Sequence, residues 1–507
     1  MKHARTAAVK LLIVFFWTAV VPVLQAQAQS TASVQAAPPP LSPTEQTIKD
    51  LKNPASWLTW GADFRARAEI FDNILTLNPE NPLHEQSYLR FRSRIYASLT
   101  PVEDLSLNVR VANEAREWLR PAGYTPYSPS SGWDWRDGII DALNIQWRNM
   151  LSQPLTLTFG RQDFLPGTPS GLGDGWLIGE GTPYDGSWTY FLDAARVTWD
   201  LKDQRTRIDA VGLMQDPYDN GMFQTINANQ YLPLTEQDEK GAILWVANKS
   251  LPTLNMDGYF IYKHDDANVN WPFGSAAAAK YRPDKADIYT LGGRLSGIVH
   301  ERVKYSVEGA YQFGEKQDPS IKDAFASTGS LEFRDINAFG VNTKVGYLFT
   351  DSLNNQLHLS YEFLSGDDPN SKSDEMFDNL WGRYPRWGEM GLYSFAAETR
   401  IGNEANLHRF GPTWNITPLK NLDFSASYYA LLASEEVATR GVSSLFAGNS
   451  DLPDHGTFRG HFMQAVVKYK LGKHVTGHLW SEFEFPGNYY VHRTTWYFLR
   501  PEIMFTF

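Results

Sequence analysis

From Trp57 to Phe507 the chain repeats one pattern, segments of about 10 residues in which apolar and polar side chains alternate. In the first, Phe64, Ala66, Ala68 and Ile70 share one face and Asp63, Arg65, Arg67 and Glu69 the other. In the second, Leu89, Phe91, Ile95, Ala97 and Leu99 oppose Tyr88, Arg90, Arg92, Arg94 and Ser98; in the third, Leu105, Leu107, Val109 and Val111 oppose Ser106, Asn108 and Arg110. The pattern returns far downstream, where Val303, Tyr305, Val307 and Tyr311 oppose Lys304, Ser306, Glu308 and Gln312. It returns again where Leu357, Leu359, Tyr361 and Phe363 oppose His358, Ser360 and Glu362. Successive side chains of a strand point to opposite faces, so each segment has one apolar and one polar side. About 10 residues is also the length a tilted strand needs to cross a bilayer.

About 18 such segments can be counted, and single-chain bacterial barrels favour even numbers. Past Leu24 no stretch approaches the roughly 18 consecutive apolar residues of a helical span. Several neighbouring segments are joined by short connections, such as Thr100 to Asp104 and Gly472-Lys473. Others are joined by long polar loops: Pro121 to Asp137, Asp163 to Ser187, Asp216 to Glu239, Asp265 to Lys285, Gly366 to Met390 and Ser434 to Thr457. Short periplasmic turns and long extracellular loops are the asymmetry of outer-membrane barrels. Aromatic residues make up 14% of the chain, with 17 Trp and 24 Tyr, which suits girdles at the two lipid–water boundaries. The expected fold is therefore all-β: a transmembrane antiparallel β-barrel of about 18 strands, with about 16 or 20 as neighbouring options.

The two ends agree. In the last segment Tyr497, Leu499, Ile503, Phe505 and the terminal Phe507 share a face, while Arg500 and Glu502 share the other. A closing strand that alternates and ends in Phe is the feature that barrel-insertion machinery recognises. No open edge survives in lipid, so this strand must pair with the first, near Trp60 to Phe71. At the other end, Lys2, Arg5 and Lys10 precede an apolar run from Leu11 to Leu24 and an Ala26-Gln27-Ala28 site. That is the plan of a secretory signal peptide, residues 1–28, with Gln29 as the expected first mature residue. Residues 29–56, rich in Pro, Ala and Gln, read as a periplasmic arm with a short helix over Thr44 to Leu51. The barrel is expected over 57–507, in the bacterial outer membrane.

The chain has no cysteine, so neither disulfides nor thiolate metal sites contribute. Its net charge of −11 becomes about −14 once the three basic residues of the signal leave. Against this negative background, arginines fall on the polar face of consecutive segments: Arg65, Arg67, Arg90, Arg92, Arg94 and Arg110. Neighbouring strands lie about 4.8 Å apart, so these groups would form a basic ladder on one wall of the lumen. Arginine grips carboxylates and phosphates bidentately, and rings of Arg or Lys line anion pores. The alternative role is structural, with Asp63, Glu69 and Glu114 pairing with the arginines to brace a wide barrel.

The segments Leu157-Thr-Phe-Gly-Arg161-Gln162, Gly173-Asp-Gly-Trp-Leu-Ile178, Asp185-Gly-Ser and Asp193-Ala-Ala-Arg196-Val resemble the alginate export family of outer-membrane barrels. So do Tyr361-Glu-Phe-Leu-Ser-Gly366-Asp367-Asp368 and Met376-Phe-Asp378-Asn-Leu380. The resemblance implies a monomeric barrel with an arginine-rich constriction that passes a polyanionic polysaccharide. It also adds Arg161 and Arg196 to the candidate lining. The Pro-rich arm departs from the family pattern.

The expected function is a pore for an anionic solute, with export of an alginate-like uronic-acid polymer as first choice. Uptake of small acidic sugars or oligosaccharides is the alternative within the same class. A polysaccharide-acting enzyme is the alternative outside it, needing paired carboxylates or a His/Tyr pair. No Gly-x-Ser-x-Gly or His-Glu-x-x-His motif is present, and no catalytic role is expected. Gly171-Leu-Gly-Asp-Gly175 reads as a tight loop folded into the lumen rather than a nucleotide loop. The acidic stretches Asp216 to Asp219, Asp265-Asp266, Asp367-Asp368 and Asp374-Glu375 offer oxygen ligands that suit calcium, although such runs are more often solvated loops. Otherwise no cofactor is expected. The expected partners are the solute, lipid with lipopolysaccharide, and the insertion machinery, with no nucleic acid.

Overall fold

In the computed structural model, alternation becomes pairing. The structure describes residues 43–74, 76–120, 133–179, 191–216, 238–266, 285–317, 333–368, 370–382, 386–391, 404–436 and 456–507. The signal-like segment 1–28 and most of the arm lie outside these residues. A helix, α1 (Pro43–Lys52), precedes eighteen strands. The first nine are β1 (Leu58–Asp72), β2 (Glu85–Val102), β3 (Leu105–Arg120), β4 (Trp133–Trp147), β5 (Leu155–Gln162), β6 (Leu192–Leu201), β7 (Thr206–Gln215), β8 (Glu239–Leu251) and β9 (Leu254–Asp265). The rest are β10 (Ala286–Val299), β11 (Val303–Lys316), β12 (Arg334–Leu348), β13 (Gln356–Leu364), β14 (Leu407–Leu419), β15 (Leu422–Leu432), β16 (Phe458–Lys470), β17 (Val475–Pro486) and β18 (Trp496–Thr506).

Every strand pairs antiparallel with its sequence neighbours, and β1 pairs with β18 from Asp63↔Thr506 to Asp72↔Tyr497. The sheet is closed, and no ladder is left open to lipid. Strands run from 8 to 18 residues, often longer than the alternation alone suggested. β4 thus begins at Trp133, inside the stretch expected to be a loop up to Asp137. Turns such as those at 103–104, 252–253 and 420–421 gather at one end with the first residue of β1 and the last of β18. The strand ends that the long connections join lie at the other.

The two faces are inverted relative to a soluble protein. On β1, Phe64 is 42% exposed while Arg65 beside it is 0%. Ile95, Phe159, Leu291 and Leu359 are likewise exposed on the outside. An outward apolar band is what lipid requires, because hydrocarbon gives exposed apolar groups no penalty.

The interior has two unlike halves. Across β7 to β12, inward residues such as Ile243, Trp245, Ile261, Ile288 and Ala338 are themselves apolar. They pack with Phe164, Leu172, Trp176, Phe377 and Trp381, which come from loops folded back into the barrel. Opposite, β18 and β1 to β3 present charged side chains.

At the turn end, α1 lies against the seam of the barrel. The Trp60 indole N–H donates to the Leu51 carbonyl (2.7 Å), and Trp60 and Phe507 rings lie 5.2 Å apart. The Lys52 ammonium sits 5.3 Å from the Phe507 ring, and Lys473 pairs with Glu45. The helix expected over Thr44 to Leu51 is present, and it touches the last residue of the chain.

Candidate functional site

The charged wall is built by register. Arg65 stands opposite Arg92, Arg67 opposite Arg90, and Asp63 opposite Arg94, all on the inner face. Left alone, guanidinium groups so placed would repel, and carboxylates from neighbouring strands intervene. Glu69 receives Arg67 (2.7 Å), Arg500 (3.5 Å) and Arg90 (3.7 Å), and the Tyr88 hydroxyl donates to it as well. Glu114 receives Arg90 (2.6 Å), Arg116 (3.4 Å) and Arg65 (3.8 Å). Asp63 holds Arg94 (2.7 Å) with Arg92 at 3.8 Å, and Glu502 lies 3.6 Å from both Arg65 and Arg67. Glu389, from a folded-in loop, reaches Arg500 at 2.7 Å. Among the described residues, seven arginines (65, 67, 90, 92, 94, 116 and 500) thus meet five carboxylates (63, 69, 114, 389 and 502), leaving two positive charges in excess within this set.

The structure brings Arg65, Arg67, Arg90, Arg92 and Arg94 together in this lattice, all buried. Their partners brace the wall, the alternative role weighed from the sequence. Arg110 also faces inward but belongs to a separate cluster, with Asp141 at 2.7 Å and both oxygens of Asp163 at 2.7 and 2.8 Å. Arg196 faces inward on β6, bonds Asp209 (3.0 Å), and donates to the Ser170 carbonyl (2.6 Å), so it holds a folded-in loop. Arg161 departs from the expected lining. It follows Leu157 and Phe159 on the outward face, pairs there with Asp193 (2.9 Å), and stacks 3.7 Å from the Phe191 ring centroid. Arg116 and Arg500 are wall members that the candidate set lacked; continuing the alternation past Arg110 to Glu114 and Arg116 would have found the first.

Among the described residues, three stretches fold into the lumen: 163–179, 365–368 with 370–382, and 386–391. The glycine-rich stretch does so, as the sequence suggested. The φ of Gly173 is +61°, and a Cβ there would lie 2.9 Å from the Trp245 ring, so only glycine passes this close. The first two stretches join through Gly179 N–H to Trp381 C=O (2.8 Å) and Trp381 N–H to Leu177 C=O (3.0 Å). The second is pinned to the wall by the Gln312 amide, which exchanges bonds of 2.7 and 2.8 Å with the backbone of Asp378. The Trp381 indole N–H donates to Glu239 (2.9 Å). In the third, Glu482 accepts the backbone N–H groups of Glu389 (2.9 Å) and Met390 (2.7 Å).

Near the turn end, beneath residues 167–173, an open cavity of about 660 Å³ is lined by charged side chains of β6 to β10. At the loop end the charge is acidic. Burial, and then Asp368, Glu375 and Asp367, push the Glu435 carboxyl above the usual glutamate range. The acidic loops are largely engaged: Asp367 with Arg334 (2.8 Å), Asp374 with Lys316 (3.4 Å), Asp265 with Lys263 (3.2 Å), and Asp266 with Lys240 (2.9 Å). Among the described residues no group of three or more ligating side chains converges on a metal position, and Pro217 to Asp219 of the first acidic stretch lie outside them.

This closed barrel with folded-in loops has counterparts. The family described as alginate export matches residues 56–497. The chain belongs to the alginate export family. Among solved structures it is similar to Acinetobacter baumannii OccAB1, with 10% identity over 89% of this chain and 97% of that one, at a TM-score of 0.53. It is also similar to Pseudomonas aeruginosa OccK8 (OprE), with 11% identity over 89% and 98%, at a TM-score of 0.50. At such identities the likeness is one of fold. No curated protein matches the sequence. This member of the alginate export family is an outer-membrane pore, resident in the bacterial outer membrane.

Proposed function

We propose that this pore passes an anionic solute, an alginate-like uronic-acid polymer on its way out of the cell being the first choice. Family membership supports the substrate class, and the observation that carries the reading is the positive excess of the arginine wall. Ion pairing holds the individual groups, but the potential beside this wall follows the wall's own net charge, and low-dielectric walls focus it. Carboxylates entering the lumen would meet a favourable field and many weak contacts, which lets them leave again. The barrel would work as a monomer in a lipid and lipopolysaccharide surround, placed there by the insertion machinery through its terminal Phe507 strand.

The test is the reversal potential of the purified protein in planar bilayers under a salt gradient, with and without polyuronate. Anion-selective current blocked by the polymer is the expected result. A cation-selective current indifferent to polyuronate would overturn the reading. Conversion of Arg90, Arg92 and Arg94 together to Ser leaves four guanidinium groups against five carboxylates in the wall. The reversal potential of that variant is expected to move toward cation selectivity, and an unchanged potential would show that the wall does not set the field. The pinned loops that narrow the lumen favour a second reading, uptake of small acidic sugars. It predicts block by a monomeric uronate comparable to that by the polymer.

A further inference from the structure

The arginine wall is a poor place for a solute to dwell, because its guanidinium groups are buried and already held by carboxylates. The cavity at the turn end differs on both counts. Its cations are Lys202 and Arg205 on the β6–β7 turn, Arg207 on β7, Lys249 on β8 and Arg294 on β10. Its carboxylates are Asp200, Asp209 and Asp257, so positive charge exceeds negative by two. Arg207 is held by Asp209 and Arg294 by Asp257, each at 2.9 Å. Lys202, Arg205 and Lys249 are exposed and make no ion pair among the described residues.

The roof is fixed rather than loose. Arg196 and Arg207 donate to the carbonyls of Ser170 and Pro169 (2.6 and 3.0 Å), and Gly173 packs against Trp245. These bonds leave the three exposed cations as the groups with donors to spare. The volume of about 660 Å³ falls within the roughly 300–1,000 Å³ of small-molecule sites. A folded-in loop above and an open periplasmic side make it a place to be entered from the periplasm.

Resting on the reading of the pore as a conduit for uronates, we infer that this vestibule is a docking site for a short uronate segment. Its carboxylates would be captured by Lys202, Arg205 and Lys249 before the segment meets the constriction. The two lysines suit this task as flexible point charges and Arg205 adds a planar fork, whereas Arg196 and Arg207 are occupied in holding the roof by its backbone carbonyls.

The test measures block of single-channel current by an oligouronate of defined length added to the turn side or to the loop side. Wild type is compared with the combined variant Lys202→Ala, Arg205→Ala, Lys249→Ala, whose three changes lie on exposed turn-end positions. The half-blocking concentration from the turn side is expected to rise about tenfold, with little change from the loop side and with anion selectivity retained. Block of the variant equal to wild type, in a channel that stays anion-selective, would overturn the vestibule site and leave the conduit reading standing. A wild-type channel that is neither anion-selective nor blocked would bring down both. A neutral oligosaccharide of equal length that blocks as well as the uronate would also overturn the site, since charge would then play no part.

Discussion

Replacement of Glu69 by Gln is expected to lower the unfolding free energy of the barrel by about 3–5 kcal/mol, the cost of stripping one partner from buried ion pairs. Glu69 is fully buried and serves three guanidinium groups and the Tyr88 hydroxyl. Glutamine keeps the shape and one acceptor, but not the charge that holds three cations together. The measurement is denaturant unfolding of the refolded protein in lipid vesicles. The same substitution leaves seven arginines against four carboxylates in the wall, so anion selectivity should rise as stability falls. That opposed pair of changes separates an electrostatic wall from a passive brace. A matched control is Asp266→Asn, where the exposed pair with Lys240 is worth no more than about 0.2–1 kcal/mol. If Glu69→Gln costs no more than that control, water reaches the wall and the lattice is not dry.

The split between what sequence reveals and what it hides has a physical cause. Period-2 alternation is imposed by lipid outside and charge inside, so strands, faces and the β1–β18 closure were legible wherever both conditions held. On β8 they do not: Ile243 and Trp245 face inward and Leu244 outward, so the run is apolar throughout. The reason is a folded-in loop that gives the inner residues a dry neighbour, a tertiary event that no local pattern reports. Arg161 shows the opposite case. Counting by two from Phe159 places it on the outer face, and only its setting in a family-like segment had suggested the lumen. The wall arginines were visible by type and face. Their partners were visible only in part, because Glu389 arrives from a distant loop and Glu502 from the last strand. The vestibule cations escaped notice because Lys202 and Arg205 sit in a turn, where nothing but the closed barrel brings them beside Lys249 and Arg294.

Replacement of Glu482 by Ala is expected to release the stretch 386–391 and raise single-channel conductance. Glu482 lies on the inner face of β17, fully buried, and gathers four donors: the backbone N–H groups of Glu389 and Met390, the Gln464 amide (2.9 Å) and the Trp480 indole (2.5 Å). Leaving a buried donor without its acceptor costs about 1–3 kcal/mol for each group. Two orphaned backbone groups alone would then shift the stretch toward a displaced state by at least about tenfold. Such a shift removes part of the constriction and draws Glu389 away from Arg500, so anion selectivity should hold or rise as conductance increases. The Arg500–Glu389 pair and the Gln464 bond to the Trp387 carbonyl (3.0 Å) oppose release, so the expected signature is larger, noisier openings rather than a uniformly wider pore. Glu482→Gln preserves an acceptor and should sit between the two. Conductance and noise equal to wild type in Glu482→Ala would mean that the apolar packing of Met390, not this carboxylate, holds the stretch in place. A graded increase, smaller in Glu482→Gln and larger in Glu482→Ala, would locate the latch of the constriction on a single buried side chain.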